Sequence, residues 1–179
     1  MNDHGRSDAA LVSAARTGSE SAVETLFRRH WRRAHRAAYL VCLDRAGAED
    51  IAQEAFVSAV RSLERFDNRR PFGPWLHRIV VNRAIDWTRM RAARREVTSA
   101  TLPEPASNAD PEPDHADELV LALGRLAPDH RAVIVMRYVE DLSPGEIARA
   151  LGIPRGTVNS RLRRGLDVLS RELDREQVR

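Results

Sequence analysis

The sequence lacks several features that mark whole classes of protein. All 29 basic residues are arginine, and Cys42 is the single cysteine, which excludes a disulfide within the chain. Because Cys42 lies in an apolar run, we expect a buried structural thiol. No segment approaches the roughly 18 apolar residues of a membrane span, and residues 1–7 lack the apolar core of a signal peptide. We therefore expect a cytoplasmic protein without membrane insertion.

The chain is rich in charged residues. Charged residues make up 31% of the 179 positions, the net charge is +3 and the pI is about 9.9. This balance favours an anionic partner without naming one. The exclusive use of arginine has two explanations that the sequence leaves open. One is a GC-rich genome, and the other is contact with phosphate or guanine, which the planar guanidinium can bind through two parallel hydrogen bonds.

One break in composition divides the chain. Residues 97–118 contain four prolines and no arginine, so they cannot bury enough apolar area to offset the entropy of ordering them. We predict two small helical domains, residues 8–95 and 117–173, joined by a flexible, acidic, proline-rich linker over residues 96–116. Apolar residues recur every three or four positions in both domains, and no alternating strand pattern competes, so the predicted fold is all-α.

Capping residues and glycines mark the boundaries of the predicted helices in the first domain. Ser21 and Glu24 have the spacing of a capping box, Gly18 and Gly47 are interpreted as breaks, and residues 66–74 are expected to form a loop. The predicted helices span residues 8–16, 21–41, 48–63 and 75–94.

The second domain contains the pattern of a helix-turn-helix from residue 142 to about residue 173. Ser143 and Glu146 form a capping box with proline at the first helical position, Gly152 ends that helix, and a second helix follows over residues 156–173. Two earlier helices are predicted over residues 119–126 and 128–139. The final helix is expected to turn four apolar side chains inward: Val158, Leu162, Leu166 and Leu169.

Residues 149–171 carry six arginines and one acidic residue, a net charge of +5. This charge alone would suit an ordinary solvated amphipathic helix in a small bundle. The capping box, the Gly-Ile-Pro turn and the inward apolar residues stand at the offsets of a helix-turn-helix, which favours docking in the major groove of DNA.

The segment of residues 61–95 is also basic, with ten arginines and three acidic residues, a net charge of +7. Phe66, Phe72, Trp75 and Trp87 are interleaved with that charge, as in surfaces that bind a single strand by stacking its bases. The competing interpretation is that these aromatic residues belong to the core. The core is favoured for Trp87, and both interpretations stay open for Phe66 and Phe72.

The predicted helix over residues 48–63 exposes an acidic polar face. Its members are Glu49, Asp50, Gln53, Glu54 and Ser58. Such a face suits a basic protein partner, or it is simply solvated. No histidine stands near these carboxylates, and the chain has no phosphate-binding glycine loop and no nucleophile elbow. We expect no catalytic residues, no metal site and no cofactor, and therefore a protein that is not an enzyme.

These pieces together resemble, in order, regions 2 and 4 of the extracytoplasmic-function (ECF) RNA polymerase sigma factors of the sigma-70 family. In the first domain the matching strings are DAALVSAARTG at 8–18, AEDIAQEAF at 48–56, FD at 66–67, WL at 75–76, RI at 78–79 and NRAID at 82–86. In the second they are LAP at 126–128, Arg131, RY at 137–138, LS at 142–143, EIA at 146–148, LG at 151–152, GTV at 156–158 and SRL at 160–162. The ordered set is far more specific than any one string.

The resemblance implies an alternative sigma factor that binds core RNA polymerase and directs promoter-specific initiation. It assigns contact with the polymerase clamp helices to Asp50, Gln53 and Glu54. It assigns contact with the melted −10 element to Phe66, Asn68, Arg69, Phe72, Trp75, Asn82, Arg83 and Arg89. Contact with the duplex −35 element falls to Arg155, Thr157, Asn159, Ser160, Arg163 and Arg164. An anti-sigma factor is implied as a further partner.

One position departs from the family pattern. Members often carry lysine or arginine where this chain has Asn159. An amide suits adenine better than guanine, so the −35 sequence stays open.

Two other classes of function would require different features in the sequence. A stand-alone helix-turn-helix repressor or activator would bind duplex DNA tightly without polymerase and would usually carry a dimerisation surface. An enzyme acting on nucleic acid would need a carboxylate cluster or a nucleophile. The sequence suggests none of these features.

Overall fold

The computed structural model describes residues 5–97 and 115–177, with side chains described over residues 5–94 and 119–172. In these ranges the chain forms helices and loops without a strand, which confirms the all-α prediction. The helices are α1 (Asp8–Arg16), α2 (Glu20–Cys42), α3 (Arg45–Arg61), α4 (Phe72–Val97), α5 (His115–Gly124), α6 (Pro128–Tyr138), α7 (Pro144–Leu151) and α8 (Arg155–Gln177), with a 3₁₀ turn at Leu63–Arg65. None of the described helices is long and apolar enough to cross a membrane.

Polar side chains cap the first three helices. Ser7, Ser19 and Asp44 each accept a hydrogen bond from a backbone N–H three residues later, at 3.3 Å, 3.3 Å and 2.7 Å. The predicted capping box at Ser21 is therefore wrong, because Ser19 caps α2 and Ser21 lies in its first turn.

Gly47 does not break the chain, contrary to the prediction. It lies in the first turn of α3, whose cap is Asp44, and the reversal occurs earlier at Leu43, which has a left-handed φ of 56°. Gly47 is needed for a different reason: a Cβ there would lie 2.6 Å from an indole carbon of Trp87 in α4. The glycine marks the close approach of two helices.

One predicted boundary moved because prolines were interpreted as loop residues. The helix α4 begins at Phe72 and includes Pro74, whose missing N–H costs nothing in a first turn. The prolines at the starts of α6 and α7 are at first helical positions, as predicted. The Ser143–Glu146 capping box is confirmed, and Gly152 ends α7 with a φ of 65°.

In the first predicted domain the core lies between α2, α3 and α4, with α1 and the 3₁₀ turn packed on one end. Its fully or nearly fully buried members include Leu11, Leu26, Ala38, Ile51, Phe56, Leu76 and Val80. Arg16 fastens the 3₁₀ turn, because its guanidinium donates to the carbonyl oxygens of Leu63, at 2.8 Å, and Phe66.

In the second predicted domain, α5, α6 and α7 pack against α8. Val133, Ile147, Val158 and Leu169 are buried there, but Leu166 is 41% exposed, so its predicted inward position is wrong. Gly165 takes that inward position and lies against Ile134, since a Cβ on Gly165 would be 3.0 Å from the Ile134 side chain.

The helices of the two predicted domains also pack against each other: α6 lies on α2 and α4, and α7 lies on α4. This packing was not predicted from the sequence. The predicted linker over residues 96–116 falls mainly on residues 98–114, which lie outside the described part of the chain.

Candidate nucleic-acid interface

The helix-turn-helix predicted from the sequence is present in α7 and α8. The turn closes through the Ile153 N–H, which donates to the Ala148 carbonyl at 3.1 Å, and through the Thr157 N–H, which donates to the Pro154 carbonyl at 2.9 Å. Ile147 and Val158 are fully buried between the two helices. This packing fixes the angle at which α8 leaves the domain and keeps its opposite face open.

The open face of α8 is cationic. Arg155, Asn159 and Arg163 are spaced four residues apart, so they share one side of the helix, and all three are exposed, as is Arg164. None of these side chains has a hydrogen bond or ion pair with another residue in the described part of the chain. They are therefore available to an external ligand.

The remaining two −35 candidates are less exposed than these residues. Thr157 and Ser160 are half-buried, and the Ser160 hydroxyl donates to the Thr157 carbonyl at 2.9 Å. Arg161, on the same helix, points to α6 and donates to Asp129 at 2.9 Å. Only part of the polar side of α8 is thus free.

The −10 candidates on α4 are all engaged within the protein. Asn82 donates to the Ala150 carbonyl in α7 at 3.2 Å, and Arg89 donates to Asp129 in α6 at 2.9 Å. Arg83 stays within the first domain, where it pairs with Glu54 at 2.6 Å and also donates to the Ser58 hydroxyl.

The three aromatic candidates around the loop form one cluster. The Phe66 ring lies 4.6 Å from the Trp75 ring and 5.9 Å from the Phe72 ring, measured between centroids. Phe66 and Phe72 are 4% and 3% exposed, so in this structure they are core residues and their rings are not accessible to a base. Trp75 is half-buried, and its indole packs against both rings.

One residue of the loop, Asn68, is hydrogen-bonded to α1. The Asn68 amide donates to the Ala9 carbonyl at 3.1 Å and to the Ser13 hydroxyl at 2.9 Å, which fixes the loop to α1. The neighbouring Arg69 side chain is 95% exposed.

Between this loop and α7 lies an open cleft of about 510 Å³. Its lining includes Trp75 and the cationic residues Arg70, Arg78 and Arg149.

The acidic candidates for polymerase binding stand on the outer face of α3. Asp50, Gln53 and Glu54 are exposed, while the opposite face of the helix buries Ile51, Ala55 and Phe56. Beside the carboxylates, Val57 and Val60 are 48% and 39% exposed. The face therefore combines negative charge with apolar area, as protein-binding surfaces often do.

Sequence reasoning missed the residues that join the two domains. Glu140 has a side chain only 1% exposed; it forms an ion pair of 3.0 Å with Arg33 of α2 and contacts Nδ1 of His77 in α4. Asp129 accepts hydrogen bonds from both Arg89 and Arg161. Asp129 is an ordinary polar position in the first turn of α6 and Glu140 lies in the loop after that helix, and no local pattern marks a partner so distant in sequence.

Two buried groups near this junction have shifted pKa values. Cys42 is buried, as expected from the sequence, and this burial raises the pKa of its thiol to about 11. Burial also lowers the pKa of Arg131, whose side chain lies close to Cys42. Within the described residues, no group of three or more His, Cys, Asp or Glu side chains is placed to hold a metal ion.

Comparison with known proteins places these elements in a family. Residues 26–95 match the family model "Sigma-70 region 2", and residues 116–169 match "Sigma-70, region 4". The ECF RNA polymerase sigma factor SigM of Mycobacterium tuberculosis is 38% identical over 172 residues, which cover 95% of this chain and 86% of SigM.

Two solved structures have the same fold as this chain. CnrH, in complex with the cytosolic domain of CnrY, is 31% identical with a TM-score of 0.68, over 93% of this chain and 97% of CnrH. The sigma factor RpoE of Bartonella quintana, in complex with the anti-sigma factor NepR, has the same fold at 22% identity and a TM-score of 0.66, over 84% of this chain and 96% of RpoE. With the ordered match of both regions and the identity to SigM, the chain belongs to the ECF group of RNA polymerase sigma factors.

Proposed function

We propose that this sigma factor directs RNA polymerase to promoters through two DNA-binding surfaces on its two domains. The first domain, residues 8–95, binds polymerase and the melted −10 strand, and the second, residues 117–173, binds the duplex −35 element. The linker over residues 96–116 joins them. The observation that carries this proposal is the free cationic face of α8 in a chain that also matches region 2.

The helix α8 recognises the duplex −35 element. A guanidinium can donate two hydrogen bonds to guanine and an amide can pair with adenine, so Arg155, Asn159 and Arg163 suit base edges in the major groove. Arg164 and the hydroxyls of Thr157 and Ser160 suit the phosphate backbone, which fixes position without reading sequence.

Single-strand binding falls to α4 and the loop before it. Trp75 offers an indole for stacking, and Phe66 and Phe72 act through it by supporting its ring. Asn82 supplies an amide for a flipped base. Asn68 positions the loop, and the strand backbone is held by Arg69, Arg83 and Arg89.

Polymerase binding falls to the outer face of α3. The carboxylates of Asp50 and Glu54 and the amide of Gln53 provide charge and hydrogen bonds for a basic partner surface. Exposed Val57 and Val60 add apolar area next to them. Because this acidic face would repel DNA, a protein is the better occupant.

A transcription initiation factor of this kind acts in the cytoplasm, beside polymerase and promoters, and the chemistry belongs to polymerase. We also propose an anti-sigma factor as a partner. Support comes from the related RpoE, which was solved in complex with the anti-sigma factor NepR.

Run-off transcription tests the proposal. Core polymerase is supplied with fragments of the source genome, with and without the protein, and new transcripts should appear only when both proteins are present. Arg163→Ala should reduce these transcripts, while Arg171→Ala, an exposed arginine beyond the proposed reading face of α8, should leave them unchanged. No protein-dependent transcript from any fragment would sink the proposal, and tight duplex binding by a dimer without polymerase would favour a stand-alone regulator.

A further inference from the structure

The connecting segment between α3 and α4, residues 62–71, contains two short turns. In the first turn the Phe66 N–H donates to the Leu63 carbonyl at 3.1 Å, and in the second the Arg70 N–H donates to the Asp67 carbonyl at 2.9 Å. Isolated turns of this length are only marginally stable by themselves. Contacts from outside the connecting segment therefore decide how it lies against α4.

Arg16, in the last turn of α1, bridges the first of these turns with one guanidinium group. Its Nε donates to the Leu63 carbonyl at 2.8 Å, and its Nη2 donates to the Phe66 carbonyl. The two carbonyls belong to residues three positions apart, so the planar fork of donors fixes one relative to the other. A lysine ammonium carries its charge on a single nitrogen and lacks this fork.

The beginning of α1 holds the rest of the connecting segment. The Ala9 carbonyl accepts a hydrogen bond of 3.1 Å from the Asn68 amide in the second turn. The Asp8 carboxylate lies 2.8 Å from Nε2 of His30, and the His30 ring lies 5.2 Å from the ring of Phe72, where α4 begins. The helix α1 thus contacts the connecting segment at its start and its middle, and reaches its end through His30.

The anchoring of α1 and the contacts of Arg16 involve different side chains. Leu11 and Val12 are fully buried and fix α1 to the core of the first domain. Arg16 is exposed apart from its contacts with the two carbonyls. Replacing an exposed side chain changes global stability little. The loss of the Arg16 guanidinium should therefore loosen the connecting segment and leave the domain folded.

We propose that Arg16 is a positioning residue for recognition of the −10 strand. Its guanidinium holds the backbone at Phe66, whose ring lies 4.6 Å from the indole of Trp75, and so sets the orientation in which Trp75 meets a base. Arg16 acts through Trp75 and does not itself bind the strand. The inference rests on the proposed function, because the orientation of Trp75 matters only if Trp75 binds DNA.

Two variants of Arg16 and one control test this role. Arg16→Met removes both hydrogen bonds and keeps an apolar stem, whereas Arg16→Lys keeps the charge and removes the fork. Arg32→Met removes the same charge from an exposed position of α2 whose side chain has no hydrogen bond or ion pair in the described part of the chain. Circular dichroism and thermal melting establish that each variant is folded.

The first measurement uses no DNA and follows the exchange of backbone amide hydrogens by mass spectrometry. Amides of residues 62–70 should exchange at least about threefold faster in both Arg16 variants than in the wild type, while the amides of α3 and the Arg32→Met protein stay unchanged. Unchanged exchange in Arg16→Met would overturn the positioning of the segment by Arg16, even if the protein proved to be no DNA-binding protein.

The second measurement is the preference of the holoenzyme for the −10 sequence. On a promoter found by run-off transcription, a forked DNA with the native single-stranded −10 element competes with one in which that element is scrambled. Both Arg16 variants should lose at least about threefold of the wild-type preference, because stacking on Trp75 is misaligned. Affinity for core polymerase and for the −35 duplex should not change, which a general structural defect would not allow.

Four results of this comparison would overturn the proposal. Full preference in Arg16→Lys would identify a simple phosphate contact, and an equal loss in Arg32→Met would identify a general effect of charge. Faster exchange without a loss of preference would show that the segment does not position Trp75. A parallel loss of core affinity would show damage to the whole domain. Run-off transcription by the wild-type protein decides the proposed function separately.

Discussion

Gly47 in the first turn of α3 lies directly against the indole of Trp87 in α4, so closely that a Cβ on Gly47 would come within 2.6 Å of it. Gly47→Ala should therefore lower the free energy of unfolding by about 1–3 kcal/mol, because the indole must move out of a packed position. Urea denaturation measures this change. The matched control is Gly156→Ala, where a Cβ would meet nothing within 4 Å, so its effect should be neutral or stabilising. Equal losses in both variants would contradict the close packing.

The thiol of Cys42 should be almost inert in the folded protein. Burial raises its pKa to about 11, so very little thiolate is present near neutral pH, and the thiolate is the reactive form. Reaction with an aromatic disulfide reagent at pH 8 should be slow in buffer and fast in urea, where the thiol is exposed. Fast reaction of the native protein would contradict the burial.

The capping box of α7 should make stability depend on pH. Hydrogen bonds from the Ser143 hydroxyl and backbone N–H lower the pKa of Glu146 below its ordinary value of 4.5. Because the folded state holds the ionised form, this contribution is present above pH 4.5 and is lost as the pH falls through the lower folded pKa.

Glu146→Gln removes that titration. The variant should be less stable than the wild type near neutral pH, and the difference should shrink as the pH falls below 4.5. Urea unfolding at several pH values measures it, with Glu64→Gln, an exposed residue outside any cap, as the control. A difference that is constant with pH would show that the Glu146 carboxylate does not stabilise α7 through its charge.

Asp50→Arg should abolish binding to core polymerase while leaving the fold intact. The side chain is exposed on α3, so the charge reversal disturbs the partner surface and not the core. Co-purification with core polymerase measures binding, and circular dichroism measures folding. Glu64→Arg, the same reversal at another exposed position, should bind normally. Unchanged affinity of Asp50→Arg would remove α3 from the polymerase interface.

Arg163→Ala should weaken binding to the −35 duplex by about 1–3 kcal/mol if the guanidinium binds one base with two hydrogen bonds. Competition between duplexes that differ at single positions shows where the specificity is lost. A uniform loss on all sequences, with a shallower dependence on salt, would instead identify a phosphate contact. Arg171→Ala should leave the specificity as it is.

The sequence was sufficient for the elements whose signals are local. The capping box at Ser143, the proline at the start of α6 and the end of α7 at Gly152 each depend on a few neighbouring residues, and all three were predicted. The exposed arginines of α8 follow from the same periodicity, because Val158 and Leu169 fix which face is buried.

Local signals failed where a distant partner decides the role of a residue. A glycine at position 47 suggests a helix break, but the reason for this glycine is its close contact with Trp87, forty positions later. Phe66 and Phe72 could have faced a base or the core, and only their packing with Trp75 distinguishes the two. Nothing in sequence near Glu140 or Asp129 indicates the partners in α2 and α4, so the junction of the domains was missed.

Permanganate reactivity of promoter thymines reports strand melting at the −10 element, because permanganate oxidises unstacked thymines much faster than stacked ones. On a promoter found by run-off transcription, thymines in the −10 element should become reactive only when core polymerase and this protein are present together. Trp75→Ala should lose that reactivity while protection of the −35 element persists. Unreactive −10 thymines, or the same pattern with core polymerase alone, would contradict promoter melting by this protein.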